Sequence, residues 1–152
     1  MLAELIAIIF GVSVIGYILY RFKMSVRQTI LALLISFFWV KFTGFYNYSG
    51  GNFILFQLNI FTFILWTAGL TGFKEIYDHM KCKWRLPFIT GAWMVFIITI
   101  EWIGYNALNI QLASHYTGLF GLELLHLPIL GQLYYLLAVP IFILMSDWLE
   151  VK

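Results

Sequence analysis

Residues 2–27 read LAELIAIIFGVSVIGYILYRFKMSVR. No charged side chain occurs between Leu5 and Tyr20, and the run closes on Arg21, Lys23 and Arg27. An α-helix rises about 1.5 Å per residue, so about 20 apolar residues cover the roughly 30 Å hydrocarbon core of a bilayer. Leu2–Tyr20 therefore predicts a membrane-crossing helix. A cleavable signal peptide places its basic residues before the apolar run and small residues after it. Here Glu4 comes first and the basic residues follow. That order predicts a retained anchor with its N-terminus outside.

Four further runs have the same character: Gln28–Tyr46, Phe53–Gly72, Pro87–Tyr105 and Pro128–Asp147. Polar or turn-rich connections separate the first four, among them the N-Y-S-G-G-N stretch at 47–52. The chain has 152 residues, which suits a single domain over 1–152. Composition excludes an ordinary water-soluble domain. Hydrophobic residues make up 62% and charged residues 11%, against about 45–50% and 25% in globular proteins. A soluble fold of this size would expose apolar patches far beyond the few hundred Å² that monomers tolerate. The expected fold is an all-α polytopic bundle of five transmembrane helices, with an interfacial or re-entrant segment between the fourth and fifth.

Basic residues predict the orientation, because cytoplasmic loops carry the excess of Lys and Arg. Arg21, Lys23 and Arg27 fall at the first connection, Lys74, Lys81, Lys83 and Arg85 at the third, and Lys152 at the C-terminus. The second and fourth connections contain neither Lys nor Arg. Only Lys41 departs from this one-sided distribution. The C-terminus is accordingly expected in the cytoplasm, in a plasma or inner membrane.

A net charge of +2 without a basic patch gives no support for nucleic-acid binding. The single Cys82 has no partner for an internal disulfide and no metal-ligand spacing around it. No cofactor or metal is expected. Lys81-Cys-Lys-Trp-Arg85 is a basic juxtamembrane run that anionic lipid would attract. Ala3, Ala7 and Gly11 form a small-residue stripe at four-residue spacing, the kind that lets helix backbones approach closely. It predicts a packing seam, either within the chain or in a homo- or hetero-oligomer. Pro140 falls inside the fifth run and predicts a kink.

Away from the span ends, two charged residues lie within the predicted spans, where an uncompensated charge costs at least about 2.5 kcal/mol. Lys41 is 14 positions beyond Arg27, and Glu101 is 14 beyond Pro87, on helices that both run outward. Each should stand about 21 Å above the inner boundary. Two readings follow. Lys41 and Glu101 pair, or Lys41 snorkels to the interface while Glu101 is neutral and hydrogen-bonded. Gln57, Asn59, Tyr105, Asn106, Asn109, Gln132, Tyr134 and Tyr135 gather at the same level. They predict a polar pocket near the outer leaflet, walled by Phe38, Trp39, Trp66, Trp93 and Trp102. Lys41, Gln57, Asn59, Tyr105, Asn109 and Gln132 are its candidate ligand-binding groups. Interhelical hydrogen bonding is the competing explanation for the same cluster.

The fourth connection is too apolar for a solvated loop, and its titratable groups are His115, Glu123 and His126. An interfacial amphipathic helix or a re-entrant cap fits it. Glu123 and His126 are three apart and would share a helix face. With Glu101 they are the candidate catalytic acid–base groups; the alternative is the wet face of an interfacial helix.

Glu101-Trp102, His115-Tyr116, Gly118-Leu-Phe-Gly121, Leu127-Pro128, Leu133-Tyr-Tyr135 and Val139-Pro140 together resemble the integral-membrane carotenoid-modifying proteins, the lycopene cyclase domains and carotenoid hydratases. The resemblance covers about the last 50 residues. It implies an isoprenoid or other lipophilic ligand. Cyclases of this type carry acidic residues directly after the proline, whereas Ile129 and Leu130 follow Pro128 here. Cyclisation itself is therefore not implied, and Glu101 or Glu123 would have to supply the proton.

Three function classes compete. The chain is expected to bind or modify a lipophilic molecule in the outer pocket. Alternatively it is a non-catalytic subunit or assembly protein acting through helix contacts. A transporter is the weakest, since the two intramembrane charges share one depth and no relay crosses the membrane.

Overall fold

A computed structural model describes residues 2–22, 24–43, 45–46, 54–107, 110, 112, 116, 118–119 and 124–150. Five helices form within them: α1 (Leu2–Phe22), α2 (Val26–Thr43), α3 (Ile60–His79), α4 (Arg85–Asn106) and α5 (Ile129–Glu150). A minimal antiparallel hairpin, β1 (Ile54–Leu55) with β2 (Leu58–Asn59), precedes α3. Apart from this hairpin, the regular structure of the described residues is helical, and the fold is all-α. Segments of α1, α2, α4 and α5 (Glu4–Arg21, Val26–Thr43, Arg85–Asn106 and Ile129–Glu150) are long and apolar enough to cross a membrane.

The third helix departs from expectation. The uncharged run begins at Phe53, but the helix begins at Ile60 and continues through Lys74, Glu75 and Asp78 to His79. Two local causes set this start. The hairpin occupies 54–59, and the Asn59 side chain accepts a hydrogen bond from the Thr62 backbone N–H, capping α3 at its first turn. The far end extends because Lys74 finds carboxylate partners. Its Nζ is 2.5 Å from Asp78 Oδ2 on the next turn and 3.2 Å from Asp147 Oδ1 on α5.

Contacts fix the helix directions. Gly11 and Ile18 of α1 meet Ile64 and Gly72 of α3, so these two run parallel. Trp66 and Lys74 of α3 meet Tyr135 and Asp147 of α5, so these two also run parallel. Gln28 and Trp39 of α2 meet Glu150 and Tyr134 of α5, which is antiparallel. The bundle thus alternates, and the α1–α2 and α3–α4 connections lie at one end with the end of α5. Arg21, Arg27, Lys81, Lys83 and Arg85 gather there, and this is the basic end. The hairpin and the α4–α5 connection lie at the opposite end.

The core is aromatic and aliphatic. Trp66, Leu70, Trp93, Val139, Phe142 and Ile143 are buried, and Trp93 Nε1 donates to the Tyr135 carbonyl at 2.7 Å. Outward faces carry Phe10, Val95, Leu130, Leu144 and Trp148, all exposed. Helices apolar all round suit lipid and not water. Six of their hydroxyls meet the same constraint. Ser13, Thr43, Thr67, Thr71, Thr90 and Thr99 each donate to a backbone carbonyl one turn earlier, so none needs water. Gly11 of the small-residue stripe is used within the chain, since a Cβ there would stand 2.6 Å from Ile64 Cγ2. Pro140 lies inside α5, which continues on both sides of it.

Candidate functional site

Polar side chains at the end opposite the basic one fall into two groups separated by aromatic rings. The first belongs to α2, the hairpin and the start of α3. Lys41 donates to the Phe56 carbonyl at 2.5 Å and reaches Gln57 Oε1 at 3.5 Å. Asn59 caps α3 and donates to the Tyr46 carbonyl at 3.2 Å. Lys41, Gln57 and Asn59 are therefore occupied in shaping the hairpin and fixing the entry to α3.

Between the groups lies the predicted pocket, and it is filled. Trp39 stacks on Tyr134 with ring centroids 3.4 Å apart, and Trp66 packs against Trp93, Tyr134 and Tyr135 at 5.2–5.5 Å. The Tyr46 hydroxyl accepts from the indole N–H groups of both Trp39 and Trp66. Phe38 and Trp102, expected as walls, are instead more than half exposed. Large flat rings meeting in stacked and tilted pairs leave less space than their individual positions suggest.

The second group is the more chemical. Glu101, in the last turns of α4, faces His126 in the non-helical segment that leads into α5. His126 Nδ1 is 2.9 Å from Glu101 Oε1, and the His126 backbone N–H donates to the same oxygen. An ionised carboxylate only accepts, so with Glu101 in that form Nδ1 carries the hydrogen of this contact. Tyr105, one turn beyond Glu101, stacks on the imidazole at 4.0 Å with an interplanar angle of 12°. Its hydroxyl accepts from the Leu112 N–H at 3.1 Å. Glu101 and His126 retain 14% and 20% side-chain exposure, so the pair is sheltered but reachable.

Gln132 completes the arrangement from below. Its Nε2 donates to the carbonyls of Leu127 at 2.8 Å and Leu125 at 3.4 Å. Leu125 adopts a positive φ of 55°, and Leu125 and Leu127 are buried under the segment. Glu101 and Gln132 together hold residues 125–127 in one conformation. A cleft of about 10 Å³ remains beside the pair, lined by Ile98, Glu101, Trp102, Tyr105, Leu124 and His126. That is room for about one water.

Of the sequence-derived candidates, Glu101, Tyr105, His126 and Gln132 come together, while Lys41, Gln57 and Asn59 do not join them. No ion pair links Lys41 to Glu101. Asn109, His115 and Glu123 lie outside the described residues, as does Ala3's side chain. The Lys74–Asp78–Asp147 cluster was missed, because Lys74 reads as a loop cation until its distant partner Asp147 is known. No family model, curated protein or solved structure matches the chain.

Proposed function

We propose that this chain binds or modifies a lipophilic molecule admitted from the bilayer, with Glu101 and His126 as its acid–base pair. The observation that carries this reading is the Glu101 Oε1–His126 Nδ1 contact of 2.9 Å beside a cleft, with the imidazole held flat on Tyr105. A carboxylate that orients one imidazole nitrogen leaves the other poised to take or give a proton. The resemblance to carotenoid-modifying proteins favours an isoprenoid as the molecule. In this reading α3 is a fifth span and residues 106–127 lie at the interface. The basic end faces the cytoplasm of a plasma or inner membrane, which puts the acid–base pair near the outer leaflet.

A second reading is favoured by one observation. The Glu101 oxygen that meets Nδ1 also accepts from the His126 backbone N–H, which is what a structural latch would do. Under that reading the chain is a non-catalytic subunit or assembly protein. Lipid extraction and native mass spectrometry of the purified protein, wild type beside Glu101→Gln and His126→Gln, separate the two. A co-purifying isoprenoid or pigment lost in both variants supports the first reading. Bulk phospholipid alone, unchanged by either substitution, rejects it and leaves the subunit reading.

Topology is tested by thiol labelling in a Cys82→Ser background. Gly50→Cys and Leu112→Cys are expected to label from outside the cell. Labelling of both from the cytoplasm would reverse the orientation.

A further inference from the structure

We propose that the groove between the C-terminal halves of α1 and α3 is a binding site for an anionic glycerophospholipid. The two parallel helices are pinned where Gly11 abuts Ile64, and a groove lies between them towards the basic end. At Gly72 an added Cβ would lie 3.9 Å from Ile18 Cδ1, so the missing side chain leaves a notch in the wall. The resulting groove holds about 480 Å³, with Tyr17 and Ile18 on one side and Gly72, Ile76 and Met80 on the other. That volume lies within the roughly 300–1,000 Å³ typical of small-molecule sites.

The chemistry of the groove changes along its length. Its walls are apolar until the last turn of α3, where His79 Nδ1 stands 3.0 Å from Glu75 Oε1. The Glu75 carboxylate is thereby engaged inside the groove. Beyond it the rim carries cations: Arg21, one turn past Tyr17 and Ile18 on α1, and the exposed Lys81 and Lys83 after α3, while the nearby Asp78 is engaged by Lys74. An apolar trough ending in a cationic rim matches a molecule with acyl chains at one end and a negative phosphate at the other. A zwitterionic lipid would share the apolar contacts but gain less at the rim, where juxtamembrane Lys and Arg attract negative headgroups. The site is far from the Glu101–His126 pair and does not depend on it.

The test uses the full chain, delipidated in a non-ionic detergent and then exposed to equimolar dioleoyl-phosphatidylglycerol and dioleoyl-phosphatidylcholine. Native mass spectrometry then reads which lipid stays bound. The wild type is expected to retain phosphatidylglycerol over phosphatidylcholine by about tenfold. Gly72→Ile, which fills the notch, should abolish retention of either lipid, and Ile76→Trp should do so independently. Lys81→Gln with Lys83→Gln should keep a bound lipid but remove most of the preference. Gly16→Ile, on an open part of α1, should behave as wild type. Equal retention of the two lipids by the wild type would overturn the proposal. So would wild-type retention by both groove-filling variants. A lipid-free dimer that Gly72→Ile dissociates would also overturn it, assigning the groove to a second copy.

Discussion

Lys74 on α3 and Asp147 on α5 meet at 3.2 Å, and the lysine side chain retains only 1% exposure. Asp78 supplies the second carboxylate at 2.5 Å, and both acids remain about 40% exposed. The ammonium is therefore the dry partner and the carboxylates the wet ones. Asp147→Asn alone should cost about 1 kcal/mol, since Asp78 still neutralises the cation. Asp78→Asn combined with Asp147→Asn leaves a buried unpaired charge and should cost about 3 kcal/mol or more, well beyond additivity. Adding Lys74→Met should restore most of the loss. Reversible unfolding in mixed micelles measures all three, and a double variant as stable as wild type would contradict the burial of Lys74.

Gly11 and Gly16 lie on the same helix and predict opposite outcomes. A Cβ at Gly11 would come within 2.6 Å of Ile64, whereas nothing lies within 4 Å of one at Gly16. Gly11→Ala should destabilise the bundle by about 1–3 kcal/mol through overpacking of the α1–α3 seam. Gly16→Ala should be neutral or slightly stabilising, because Gly is the poorer helix former. Thermal denaturation of the two variants side by side checks this, and equal melting temperatures would reject the close approach at Gly11.

The helices α1, α2, α4 and α5 were legible because apolar runs about 20 residues long leave few alternatives. What misled was charge at a helix end. Lys74, Glu75 and Asp78 look like a loop until Asp147, far away in sequence, supplies the reason for burying Lys74. Depth arithmetic misled in another way. It set Lys41 and Glu101 at one height, but α2 packs mainly on α3 and α5 while α4 packs mainly on α5 and α3. Equal height on two helices does not make neighbours of their side chains. Residue depth located Glu101 and Gln132 at one level, and only the fold turned that level into the Glu101–His126 contact.

The hairpin turn carries a strain that its sequence does not suit. Phe56 and Gln57 have φ of 50° and 62°, as a two-residue type I′ turn requires, yet neither is the Asn or Gly that such turns favour. Lys41 holds the turn by donating from Nζ to the Phe56 carbonyl, with Gln57 Oε1 as its second acceptor at 3.5 Å. Gln57→Gly should stabilise the protein by about 0.5–1 kcal/mol, and Gln57→Val should destabilise it by at least as much. Equal unfolding midpoints for the two variants would show that the turn adopts another geometry.

The Glu101–His126 pair separates orientation from mere attachment. Glutamine at 101 keeps a carbonyl oxygen able to accept from the His126 backbone N–H, so Glu101→Gln should leave the segment before α5 in place. Alanine removes both acceptor contacts and should release it, at a cost of about 1–3 kcal/mol for the stranded donors. Hydrogen exchange at the His126 amide reads this directly: protection should persist in Glu101→Gln and fall by about tenfold or more in Glu101→Ala, since about 1.4 kcal/mol is a factor of ten. If ligand retention follows the same order as protection, the carboxylate acts only by holding the segment. If retention is lost in Glu101→Gln while the amide stays protected, the charge itself is what the ligand site needs, because the glutamine side chain differs in charge and proton chemistry and not in reach. Loss of protection in both variants would mean that the charged form of Glu101 is required to seat His126, and the pair would then be structural before it is chemical.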